Sequence, residues 1–67
     1  MYFLTKTRVC VEGEEYTVYG MKFNEDLRFD DISEDKGSVS TLVEDCNKYQ
    51  LEPIHMLDVI EDFLAGL

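Results

Sequence analysis

Basic residues are what this sequence has least of for its charge content: six Lys and Arg stand against fifteen Asp and Glu, a formal net charge of −9. Nucleic-acid affinity rests on Lys and Arg neutralising phosphates, so direct DNA or RNA binding is excluded as an expectation. The same balance disfavours anionic membrane surfaces. Long hydrophobic runs are also missing, with nothing near the 18 or so apolar residues of a membrane span. The opening MYFLTKTRVC lacks the basic-then-apolar order of a secretion signal. Cysteine is nearly absent: Cys10 and Cys46 lie far apart and form no CxxC or disulfide framework. Free cysteines without a secretion signal point to the reducing cytoplasm. Length is short as well. Sixty-seven residues make a single domain over 1–67, and a core of that size seldom contributes more than about 3–5 kcal/mol without staples or partners. No staple is visible, so self-association is an expectation from size alone.

What is present divides into two periods. Tyr2 to Val11 is rich in aromatic and β-branched residues, and Phe3, Thr5, Thr7, Val9 and Val11 share one alternating face. Glu12-Gly13-Glu14 is a turn signal, since Gly13 can take positive φ. Tyr16 to Phe23 reads as a second strand, in which Gly20 marks a bulge or the close approach of another segment. After Asn24-Glu25-Asp26, Leu27 to Ile32 makes a third. Connections this short favour an antiparallel meander over 1–32, because parallel pairing needs a crossover of a dozen residues.

From Ser33 the period becomes helical. Val39, Leu42, Val43 and Cys46 fall on one stripe. Ser33 is the expected N-cap, with Glu34 and Asp35 in the first turn where the helix dipole favours acids; a start at Ser38 is the alternative. Pro53 suits the first position of a second helix, with Leu51 and Met56 at the spacing of a hydrophobic staple. Along that helix Met56, Leu57, Val59, Ile60, Phe63, Leu64 and Leu67 cover an arc of about 160°, opposite Asp58, Glu61 and Asp62. A joint of about three residues at Gln50-Leu51-Glu52 implies a helical hairpin. The predicted fold is α+β, a three-stranded antiparallel β-meander followed by a helical hairpin, β-β-β-α-α, with the two helices in 33–67 and packed on one face of the sheet.

The chemistry-bearing residues are few. Cys10, Cys46 and His55 match no zinc-ligand spacing, and Cys46 sits on a core stripe. A lone His55 has too few partners for a nucleophilic triad, and its simplest role is an exposed helix-start residue near Glu52 or Asp58. Paired carboxylates such as Glu44-Asp45 and Glu61-Asp62 are numerous but read as solvated faces, and no calcium-loop pattern occurs. A helix-turn-helix reading fails because PIHMLDVIEDFL carries acids and no Lys or Arg. The sequence therefore predicts no enzyme, no catalytic residue, no cofactor and no metal.

Two surfaces are left. Helix two offers an apolar interface around Leu57, Ile60, Phe63 and Leu64, through which the chain would pair with itself or with another protein; ordinary core is the competing role. The acidic face of Asp58, Glu61 and Asp62 offers the alternative, an inhibitor or regulator that binds a basic or nucleic-acid-binding protein. Tyr19-Gly20-Met21, Asp31-Ile32-Ser33, Asn47, and then Leu51, Pro53, His55, Asp58, Val59, Glu61, Asp62, Phe63 and Leu64 resemble a family of small uncharacterised proteins, a domain of unknown function, from Gram-positive, clostridia-like bacteria. That resemblance implies a bacterial cytoplasmic setting and brings no activity, cofactor or catalytic residue with it. Glu52 stands where Ser or Thr more often caps a helix before proline.

Overall fold

The computed structural model describes residues 1–66. Three strands, β1 (Phe3–Val11), β2 (Glu14–Lys22) and β3 (Arg28–Ser33), form one sheet in the order β1-β2-β3, with both neighbouring pairs antiparallel. Two helices follow, α1 (Lys36–Lys48) and α2 (Met56–Ala65), the latter entered through a 3₁₀ turn at Pro53–His55. This is the β-β-β-α-α architecture expected from the change of period. The shortest dimension of the 39 × 26 × 17 Å molecule suits one sheet and one helical layer about 10 Å apart.

The β1–β2 hairpin is regular from Phe3↔Lys22 to Val11↔Glu14. Its turn needs only Glu12 and Gly13, at φ 52° and 80°. Two consecutive positive φ values match the right-handed twist of the flanking strands. Because the turn is so tight, β2 begins at Glu14, two residues before the expected Tyr16. Gly20 has the predicted role. A Cβ there would run into the Phe29 carbonyl and the Asp30 backbone, and the β2–β3 register shifts between Tyr19 and Met21. Asn24 shapes the next connection, its side chain accepting from the N–H groups of Asp26 and Leu27 at 3.0 and 2.7 Å.

The expected cap of α1 is corrected. Neither Ser33 nor Ser38 caps it; Asp35 does, accepting from Gly37 N at 3.1 Å and Ser38 N at 3.4 Å. Ser33 ends β3 and its hydroxyl accepts from Asp35 N at 3.0 Å, which presents the carboxylate to the helix. Glu34 and Asp35 therefore precede the helix instead of filling its first turn. A carboxylate satisfies the orphan N–H groups and faces the positive end of the dipole, where a hydroxyl would do only the first.

The core lies between the helices and one face of the sheet. Tyr2, Met21, Ile32, Val39, Val43, Cys46, Met56 and Ile60 are buried together, with Leu4, Tyr19, Phe23, Leu42, Leu51, Val59 and Phe63 packed around them. Pairing explains which face is covered. Leu4 stands opposite Met21 and Lys6 opposite Tyr19, and directly paired side chains share a face. The face of β1 that the helices cover is thus Tyr2 and Leu4, not the more regular alternation of Phe3, Thr5, Thr7, Val9 and Val11, of which only Thr5 is buried.

Candidate functional site

The stretch from Cys46 to His55 builds the turn into α2. Gln50 at φ 51° reverses the chain after α1, while Leu51 N donates to Cys46 O at 2.9 Å and Gln50 N to Asn47 O at 3.2 Å. These two bonds form a Schellman cap, with Gln in the left-handed position that glycine usually fills. Asn47 grips the start of the chain from both sides: Tyr2 N donates to its Oδ1 at 2.6 Å, and its Nδ2 donates to Tyr2 O at 3.0 Å. The Tyr2 hydroxyl then donates to Leu51 O at 2.7 Å. Burial, with Cys46 nearby, pushes that hydroxyl above the usual tyrosine range. Sequence spacing gave no sign of this clamp, because its partners lie 45 residues apart.

Pro53 then opens the 3₁₀ turn, with extended Glu52 before it and no side chain capping it. Leu51 and Met56 both reach the core, as a staple requires. From there the structure divides the predicted interface. Ile60 is 1 % exposed and belongs to the core, and Phe63 packs against that core. Leu57 and Leu64 remain 54 % and 38 % exposed. The division has a simple geometric reason. Met56, Ile60 and Phe63 occupy the middle of the arc and Val59 one edge of it, all in or against the core, while Leu57 and Leu64, seven residues apart, lie at the opposite edge. Leu67, counted in the same arc, lies outside the described residues. Asp58, Glu61 and Asp62 are all exposed.

Ile54, 80 % exposed, extends the open flank toward the sheet. There, Leu27, Arg28 and Phe29 on one side and Pro53, Ile54, Met56 and Leu57 on the other enclose an open groove of about 350 Å³. Arg28 forms part of its wall, held by Asp30 Oδ2 at 2.9 Å and Glu25 Oε2 at 2.6 Å. Its hydrogen bond holds the Asp30 carboxyl below the usual range. Glu25 is lowered chiefly by its bond to Lys22. A second hollow of about 310 Å³ lies beside Tyr2, Phe23, Cys46 and Asn47.

The residues considered for nucleophilic or metal chemistry are scattered. Cys10 is exposed on β1, whereas Cys46 is buried and its thiol raised by burial and by Asp45. His55 lies exposed with Nδ1 4.0 Å from Asp58 Oδ2. Among the described residues, no group of three His, Cys, Asp or Glu side chains could hold a metal ion. No helix among them is long and apolar enough to cross a membrane.

Residues 1–66 match the model of a family of unknown function, DUF6514, and the chain belongs to that family. No curated protein matches the chain, and no solved structure does.

Proposed function

We propose that this protein is a non-enzymatic interaction module of the bacterial cytoplasm that docks a protein partner through the open flank of α2. The observation that carries this reading is the exposure of Leu57 and Leu64 on one flank, beside the apolar groove that Ile54 and Leu57 help to line. Large apolar side chains grouped next to a groove supply the desolvated centre of an interface, and the surrounding charges set its specificity. Here those charges are acidic. Glu61 adjoins Leu57 and Leu64 on the helix surface, Asp58 lies one step farther round beside Glu61, and both acids are exposed. A second copy placed about a two-fold axis on this flank would bring Glu61 toward its own counterpart. A partner with an apolar ridge and a Lys/Arg rim meets no such repulsion, which joins the apolar interface and the acidic face in one surface.

Two bait proteins test the reading, the natural chain and Leu57→Asp/Leu64→Asp, used in affinity capture from the source cell with quantitative mass spectrometry. The expected outcome is a basic-surfaced protein enriched on the natural chain and lost from the variant, with retention that weakens as salt rises. Equal capture by both baits would place the docking surface elsewhere.

A further inference from the structure

β1 forms one edge of the sheet, with β2 on one side of it and no strand on the other. Two independent observations fix which of its backbone groups point out. The two-residue turn makes Val11↔Glu14 a pair that exchanges both backbone bonds, and such pairs alternate. Val11, Val9, Thr7, Thr5 and Phe3 therefore turn their N–H and C=O groups toward β2. Tyr2, next in the alternation, has both groups turned the other way, and there Asn47 holds them with its side-chain amide at 2.6 and 3.0 Å. Asn47 thus stands where a neighbouring strand would. Past it, Leu4, Lys6, Arg8 and Cys10 aim the same two groups outward, and among the described residues no other backbone group bonds to them there.

The two edges of the sheet are protected differently. β3 is six residues long, its register breaks between Tyr19 and Met21, and it carries Asp30 and Asp31, all devices that blunt an edge. β1 pairs with β2 over nine residues with no bulge and no proline. Its one device is charge. In a chain with fifteen acids, Tyr2 to Val11 holds Lys6 and Arg8 and no acid at all. Both cations are exposed. Lys6 has no ion pair among the described residues, and Arg8 reaches Glu15 only at 3.6 Å, between side chains that are both mostly exposed. This charge turns away a second β1, because full antiparallel overlap, centred on Thr7, sets Lys6 of one copy against Arg8 of the other. It attracts a strand of the opposite sign.

We infer that the free edge of β1 receives an extended acidic segment of another protein as a fourth strand. Main-chain bonds to Leu4, Lys6, Arg8 and Cys10 hold the segment, and its side chains at alternate positions give selectivity. The residues that pair with Lys6 and Arg8 are Asp or Glu, standing on the same face as the two cations. The residue between them, beside Thr7, is β-branched, as is the one beside Val9. Asn47 closes the edge at Tyr2, so the added strand begins past that residue. This edge shares no residue with the open flank of α2 and does not depend on the partner proposed for it.

Amide chemical shifts and hydrogen exchange test this on the natural chain, with and without a blocked Glu-Val-Glu-Val-Glu-Val peptide at millimolar concentration. In the free chain, Thr5, Thr7 and Val9 should exchange more slowly than Lys6, Arg8 and Cys10. The peptide should then shift and slow the latter three. Lys6→Glu/Arg8→Glu, shown folded by circular dichroism, should bind this peptide about tenfold more weakly and prefer the Lys-Val counterpart. A peptide that leaves the β1 amides unchanged, or that perturbs only α2, overturns the inference. So does a natural chain that binds the Lys-Val peptide as well, or a variant that binds the Glu-Val peptide undiminished.

Discussion

The two faces of the sheet are built from the same strands and have opposite fates. On one, Met21 is fully buried beneath α1 and α2, and Tyr2 and Ile32 are nearly so. On the other, Phe3, Val11 and Tyr16 face outward, while Thr5, Val18 and Gly20 are buried where β3 comes against Gly20. Apolar content alone does not separate them, since β1 places its cleaner alternation on the open side. What separates them is the partner strand. Met21, Tyr19 and Phe23 of β2 and its exit lie on the helical side, and the apolar stripes of α1 and α2 close over them. A face is buried when several elements supply apolar surface to the same place, and β1 follows β2 through its register.

The largest expected effect breaks this contrast directly. Met21→Ala removes a fully buried side chain and should cost about 2–5 kcal/mol, whereas Val11→Ala on the open face should stay within about 0.5 kcal/mol. Thermal melts resolve the difference, because 1 kcal/mol moves the midpoint of a domain this small by about 4–8 °C. Similar losses for both would mean that the open face is covered in the monomer.

A smaller effect sharpens the comparison at the edge of the covered face. Asn47→Ala strips both partners from the Tyr2 backbone and should cost about 1–3 kcal/mol. Hydrogen exchange should then show the Tyr2 amide unprotected while the β1–β2 ladder stays protected. An unchanged Tyr2 amide would mean that Leu51 and the core alone hold that end of the chain.

The smallest effect concerns acid. Asp35 is held below the usual carboxylate range by its bonds to Ser38 and Gly37, and Asp30 and Glu25 by Arg28 and Lys22. Lowered folded values mean that the unfolded chain takes up protons first. Their stabilisation is complete above the ordinary carboxylate values near pH 4 and is lost as pH falls through the folded values. Glu25 and Asp35 are exposed and Asp30 is half-buried at the surface, so solvent screening keeps each contribution small. Asp35→Asn should flatten the acid limb of the stability–pH curve, and an unchanged limb would show that the cap works as well without its charge.

Much of the fold was legible because it depends on neighbours in sequence. Gly13 announced a turn, Gly20 a close approach, the Val39–Cys46 stripe a helix, and Pro53 the start of another. The α1 cap was misplaced by two residues because Ser33, Asp35 and Ser38 are all good cap types, and only the exit of β3 decides among them. The site was half legible. Periodicity found the arc of α2 but not the division between Ile60 and Phe63, which pack inward, and Leu57 and Leu64, which do not. That division depends on how far the sheet and α1 reach around the helix.

The sequence by itself determined the elements, their order and the acidic balance, since turn chemistry, hydrophobic period and charge are local or additive properties. Only the tertiary structure decided which face of β1 is covered, that Asn47 clamps Tyr2, and which part of α2 stays open. Each of these is a meeting of residues far apart in the chain, settled by strand register and by how far the helices extend over a sheet that has two apolar faces.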